Sequence, residues 1–358
     1  SIETYIFFQK INKLKMKKIT LTLSFILLVV CISFAQQPVI IVENSTGSAA
    51  YGNLVSAITN AQAGDTIYIP AGAFGCGGNC IIDKELHFRG FGHHPFNAQA
   101  TGHTVVTTDI RFATGSSNST ISGVHLNQYL RFGDVFLSSQ VVNNIIVRRC
   151  NIGAVDLAAN TTTNPNSQNH IFNECIIRGA FNAADVTNLK INNSILVETP
   201  YHLKNAVVEH SIILDDNFFM ANNIGTTFKN NVIIANTISA NNNSSNCISL
   251  NNLYVSTVSN LPAAIIDNGS FFNQSISNIF VNQSTNDFSY LHDYHLPSGS
   301  LGINAATDNT NIGIYGGSAP FKESMMPLQP YIKNKVINGT TDPAGNVQIT
   351  FEVEGQDN

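Results

Sequence analysis

Between residues 148 and 229 the sequence interleaves side chains that could act together on an acidic polymer. Asn173, Asn192 and Glu209 carry oxygens of the kind a hard cation such as calcium takes. Around them stand six basic residues, Arg148, Arg149, Arg178, Lys190, Lys204 and Lys229. β-Elimination on a uronate chain needs a cation to neutralise the carboxylate, a base for the adjacent proton and an acid for the leaving oxygen. Lys229 or Lys204 would be the base and Arg148 or Arg178 the anchor. The plainer reading is a solvated polar face, with Arg149 and Glu174 as an ordinary cross-strand pair. Asp215-Asp216 could serve glycoside hydrolysis if two carboxyls stood about 5–9.5 Å apart, but it reads more simply as a turn. His93-His94, just before Pro95, reads as a loop rather than a metal site.

The elements that would position these groups follow from a repeat. A short phrase recurs from residue 119 onward: "ISGVHL", "VRRCNI", "FNECII", "INNSIL", "VEHSII", "FKNNVII", "LNNLYV" and "ISNIFV". Its small or amide anchors are Gly123, Cys150, Cys175, Ser194, Ser211, Asn231, Asn252 and Asn278. Spacings of 17 to 27 residues fit one coil of a parallel β-solenoid. They fit a leucine-rich repeat or a propeller blade less well. Positions −3, 0 and +2 from the anchor then point inward, stacking like on like, and Asn231, Asn252 and Asn278 should form an amide ladder. Cys150 and Cys175 fall on successive coils, either as stacked thiols or as a bridge. Position +1 gives a row of apolar residues, Ile176, Ile195, Ile212, Val232, Leu253 and Ile279, on the outside. Such a stripe needs a cover, from the C-terminal tail, a loop or a protein partner.

Residues 16–35 have a Lys-Lys n-region, an apolar stretch and a Ser-Phe-Ala end, the pattern of a signal peptide cleaved near Ala35. Residues 1–15 read as upstream translated sequence. The chain from residue 36 carries 13 Lys/Arg and 22 Asp/Glu, a net charge of −9, which argues against nucleic-acid binding. It contains no expected transmembrane span. Export permits disulfides, and Cys76–Cys80 in "GCGGNC" is the leading pair, with two free thiols as the alternative. The expected organisation is an all-β solenoid over 36–322, including a cap helix that starts at Asn53, and a C-terminal β-hairpin tail over 323–358.

"LVSAITNAQAGDTIYIPAGAF" (54–74) resembles the opening of secreted right-handed parallel β-helix proteins of the pectate-lyase-like superfamily. "GINAATDNTNIGIYGG" (302–317) resembles the closing segment of such proteins from Bacteroidetes-type bacteria. The resemblance implies a right-handed parallel β-helix at the cell surface, in the periplasm or outside the cell. It carries two functional expectations: a non-catalytic glycan-binding or scaffold module, or a lyase acting on uronate polymers by β-elimination. Sugar-stacking aromatics would come from Tyr129, Phe132, Phe136, Tyr201, Phe218 and Phe219.

Overall fold

The computed structural model describes residues 38–355, except 96–101, 134–139, 158–166, 185, 256–260, 284, 327–330 and 342. The signal-peptide segment 16–35, the upstream residues 1–15 and Phe136 lie outside the described residues. Nearly all regular structure is β, and the parallel strands stack as a solenoid of about eight turns.

Two long sheets form its walls. The first begins with an antiparallel hairpin, Ile40–Asn44 with Gly47–Tyr51. It runs through Asp65–Tyr68 to the final strand Ile265–Asn268. The second runs from Gly72–Phe74 to Leu253–Val255. Helix α1, Leu54–Asn60, covers the N-terminal end; Asn53 caps it by accepting from the Ser56 N–H at 2.8 Å. Leu54, Ala57 and Ile58 turn their side chains into the core. Pro70 follows the strand Asp65–Tyr68, where its missing N–H does no harm. Cys76 and Cys80 are joined as a disulfide with Cα atoms 5.2 Å apart.

One residue turns the chain from the first sheet to the second on every repeating coil. Arg149, Glu174, Asn193, His210, Asn230 and Asn251 occupy this corner with φ between 45° and 59°. Gly123 does the same at φ 66°. Register therefore corrects the first anchor: Ile121 pairs with Val147, so Val124 matches Cys150 and Gly123 is the corner. A second corner repeats Asn118, Asn144, Asn169, Asn188, Asn205 and Asn246, also left-handed. Asn tolerates this conformation better than other side chains do.

The inward positions are as expected. Val147, Cys150, Ile152, Phe172, Cys175, Ile177, Ile191 and Leu196 are all buried in one continuous core. Cys150 and Cys175 are free thiols that burial makes hard to ionise, Cys150 being pushed up to about 12. His170 joins the core beside Phe132; its Nδ1 accepts from the Ile145 N–H at 3.2 Å. Burial lowers its pKa to about 3.

The ladder is longer than the amide run suggests. Each anchor side chain accepts the N–H of the anchor one coil earlier: Ser194 from Cys175, Ser211 from Ser194, Asn231 from Ser211 and Asn252 from Asn231, at 2.8–3.2 Å. Ser270, not Asn278, supplies the next rung. Asn278 lies in an exposed 3₁₀ turn, Ile276–Asn278, because the chain has already left the coil there.

The apolar row is buried. Ile176, Ile195, Ile212, Val232 and Leu253 form one file across the second sheet. They pack beneath Phe280, Tyr294, Ile312, Ile314, Phe321 and Met325. Ile279 belongs to this cover, not to the file. The cover is thus the segment after the last coil. The tail hairpin, Tyr331–Thr341 with Val347–Glu354, is antiparallel, and Val336, Ile337 and all of Val347–Glu354 are exposed.

Substituting Asn231→Ala strips the Ser211 N–H and the Val208 carbonyl of their partners at once. Urea unfolding should show a loss of about 2–6 kcal/mol, given about 1–3 kcal/mol for each of the two buried groups left unpaired. Asn278→Ala should leave the midpoint unchanged.

Candidate functional site

Five of the seven residues singled out for chemistry fall in one outward file of the first sheet. Arg148 pairs in register with Asn173, Asn173 with Asn192, Asn192 with Glu209 and Glu209 with Lys229. A cleft of about 170 Å³ lies between Asn173, Asn192, Glu209 and Lys229 on one side and Thr307, Asp308 and Gly317–Ala319 on the other. The other two candidates lie elsewhere. Lys204 bridges Thr187 and Ile224 at a different corner. Arg178, beyond the second-sheet strand Ile176–Ile177, donates Nη2 to the Leu126 carbonyl at 3.2 Å. One member of each alternative, Lys229 and Arg148, therefore shares the file with Asn173, Asn192 and Glu209, while Lys204 and Arg178 do not.

Calcium fits this cleft poorly. Lys229 already forms an ion pair with Glu209, so the one carboxylate of the proposed set is taken by a cation of the chain itself. The Asn173 amide donates to Glu174 at 3.3 Å, and among the described residues the Asn192 Oδ1 is the one oxygen lining the cleft that is buried without a partner. Among the described residues no group of three or more His, Cys, Asp or Glu side chains is placed to hold a metal. Asp215 and Asp216 are turn acceptors, for Thr199 and Asn236 respectively.

The corner file performs a different task from the one its polarity suggests. Arg149 and Glu174 are no surface pair: their side chains are 4% and 7% exposed, with Nε to Oε2 at 2.8 Å. Arg149 also donates to the Met326 carbonyl, and Glu174 accepts from the Lys322 N–H. Asn193 donates to the Ile314 and Gly316 carbonyls, and Asn251 to that of Ala305. Asn230 exchanges hydrogen bonds with Thr307. His210 Nε2 meets Asp308 Oδ2 at 3.2 Å, and its ring packs on Gly316, where a Cβ would come within 2.5 Å of Nδ1. A left-handed corner aims its side chain out of the coil, and the covering chain 305–326 is pinned along that file.

The cover creates a second, larger cleft of about 370 Å³. Phe288, Tyr290, Tyr294, Tyr315 and Phe321 supply its rings, and His94, His292, Asp293 and Glu323 its polar groups. His295 stacks on Tyr315, with centroids 3.8 Å apart and planes within 3°. Its Nδ1 lies 2.8 Å from Asp293 Oδ1 and 3.6 Å from Glu323 Oε1, and the Tyr315 hydroxyl donates to Glu323 at 3.0 Å. Burial alone would raise the Asp293 carboxyl, but bonds from the His295 backbone and ring outweigh it and hold the group below its usual range.

Tyr290 forms the link to the core. Its hydroxyl accepts from Asn151 Nδ2 at 2.6 Å and lies 2.9 Å from His93 Nδ1. Burial pushes Tyr290 up to about 12. Burial, aided by His125, His94 and His103, pulls His93 down to about 3. His93 and His94 lie in irregular structure, as expected of a loop, but both are buried, and His94 lines the cleft. Among the described residues the His93 Nε2 and Asn151 Oδ1 atoms have no partner.

The sequence's aromatic candidates do not line this cleft. Phe132 and Phe218 are core residues. Tyr129 stacks under the Arg131 guanidinium, 3.8 Å from its ring centroid. Phe219 is exposed on Asn217–Met220, and Tyr201 is bridged to Asn182. Three of the five rings, Phe288, Tyr290 and Tyr294, come from "FSYLHDYH", 288–295, whose dense aromatic and imidazole content is the available signal; Tyr315 and Phe321 come from the covering chain that follows. Among the described residues no helix is long and apolar enough to cross a membrane. Comparison with protein-family models, curated proteins and solved structures finds no match.

Breaking the buried pair by Glu174→Ala should cost about 3–5 kcal/mol in urea unfolding, whereas Glu209→Ala at the part-exposed pair should cost less than about 1 kcal/mol. Stability should also fall on acidification. His93 and His170 are depressed from an ordinary value near 6.5 to about 3, so between those values the unfolded chain binds protons that the native chain refuses. Stability is full above about pH 6.5 and lost as pH falls below it, by up to about 1.4 kcal/mol per pH unit for each ring. His170→Gln should flatten the midpoint-against-pH slope by one proton; an unchanged slope would refute the assignment.

Proposed function

We propose that this chain is a secreted, non-catalytic glycan-binding module that holds sugar in the aromatic cleft. One observation carries the reading: a cleft of about 370 Å³ in which several rings converge with carboxylates and imidazoles. Its size falls in the range of small-ligand sites, about 300–1,000 Å³. Aromatic faces take the C–H faces of a sugar ring, and the polar groups among them take hydroxyls. The Cys76–Cys80 bridge and the signal-peptide pattern support an extracellular or periplasmic setting. Kinship with the pectate-lyase-like superfamily and a Bacteroidetes-type source belong to the same proposal and rest on the opening and closing motifs.

A second reading, β-elimination on a uronate polymer, draws on the file Arg148, Asn173, Asn192, Glu209 and Lys229 beside the smaller cleft. It is the weaker one, since Lys229 is held by Glu209 and, of the other proposed cations, Lys204 and Arg178 stand apart.

Affinity electrophoresis and calorimetry on neutral, amino-bearing and uronate oligosaccharides test both. Binding without product is expected, and Phe288→Ala or Tyr315→Ala should weaken it by about tenfold, or about 1.4 kcal/mol, with an unchanged circular dichroism spectrum. No binding to any sugar would sink the module reading. The ultraviolet absorbance of an unsaturated uronate, lost in Lys229→Ala, would install the lyase instead.

A further inference from the structure

We infer that the aromatic cleft selects glycans bearing a free amino group, with the ammonium seated at Asp293 beside Glu323. The inference rests on the glycan-binding reading and adds the class of sugar. Both carboxylates line the cleft directly. Asp293 Oδ1 takes both bonds from His295, one from the backbone at 3.0 Å and one from the ring at 2.8 Å. Among the described residues no hydrogen bond to Asp293 Oδ2 is present, which leaves that oxygen to a ligand.

Negative side chains gather on the outer side of the cleft. Burial is the main cause that raises its three tyrosines. Beyond it, Glu323 and Asp293 raise Tyr315 further, and Asp287 raises Tyr294. Tyr290, on the core side, is drawn the other way by its hydrogen bond with Asn151 and then by the Arg178 charge. Burial lowers the His94 imidazole below its ordinary value against the opposing pull of Glu323. An anionic sugar entering at Asp293 meets like charge, whereas an ammonium gains charge-assisted hydrogen bonds there. The same ammonium lies against ring faces, which attract cations. His295 already shows the arrangement from within the chain, its ring nitrogen directed at Asp293 with Glu323 close by.

The test compares three probes on the full chain: a glucosamine oligomer, its N-acetylated counterpart and a galacturonate oligomer of equal length. The free amine should bind about tenfold more tightly than the N-acetyl form in low salt. That advantage should shrink at about 0.5 M salt, where exposed charges are screened. Asp293→Asn keeps an acceptor for His295 and should bring the two affinities together, so that the amine binds no more tightly than the N-acetyl form. Equal affinity for the amine and N-acetyl forms, or tighter binding of galacturonate, overturns the charge selection and leaves the glycan module standing. Failure of all three probes overturns both readings.

Discussion

Everything in this molecule depends on a single residue per coil that bends the wrong way for an L-amino acid. The left-handed corner between the two sheets costs conformational energy wherever a residue other than glycine holds it, on the order of 1–3 kcal/mol by the general scale for such strain. Arg149, Glu174 and His210 hold it nonetheless. What stabilises them is repetition. A one-residue corner fixes the angle and the register between sheets, so every coil presents the same side chain at the same height. Inward files of Ile and Phe, the anchor ladder and the outward files are all consequences of that fixed step. The ladder in turn satisfies backbone N–H groups that a corner so tight would leave buried and unpaired.

Much of this was legible in the sequence because stacking puts like residues at like positions. The phrase containing Cys150, Cys175, Ser194 and Ser211 identified the inward faces correctly. The two places where it misled have one cause. Gly123 fits the phrase as a small anchor, but at this corner smallness and backbone freedom look the same in a sequence; only register distinguishes Val124 from its neighbour. "ISNIFV" matches the phrase by composition, yet it lies in a segment that has left the coil, and composition carries no information about pairing. The second corner of asparagines, three residues before each inward apolar position, was readable but hidden behind the general abundance of Asn.

The sites were less legible for a different reason. A file on one sheet is a periodic feature, so Asn173, Asn192, Glu209 and Lys229 could be aligned from sequence. A cleft between that sheet and a non-repeating cover is not periodic. Tyr290 meets Asn151 across 139 residues and His93 across 197, and no spacing rule spans such distances. The apolar row showed that something must lie on the second sheet but not what. The larger cleft is built almost wholly from that unknown partner.

The pinned cover also alters how the solenoid behaves as a material. A bare solenoid couples only neighbouring coils, and its ends can fray one coil at a time. Here one strap of chain, 305–326, is fastened to six successive corners from Asn251 back to Arg149. Its direction is antiparallel to the growth of the stack, so its later residues grip earlier coils. Loosening any one coil then strains the attachments of its neighbours several steps away. A structure of locally repeating parts is thereby converted into a single cooperative body, and its repeats cannot be added or removed without refitting the strap.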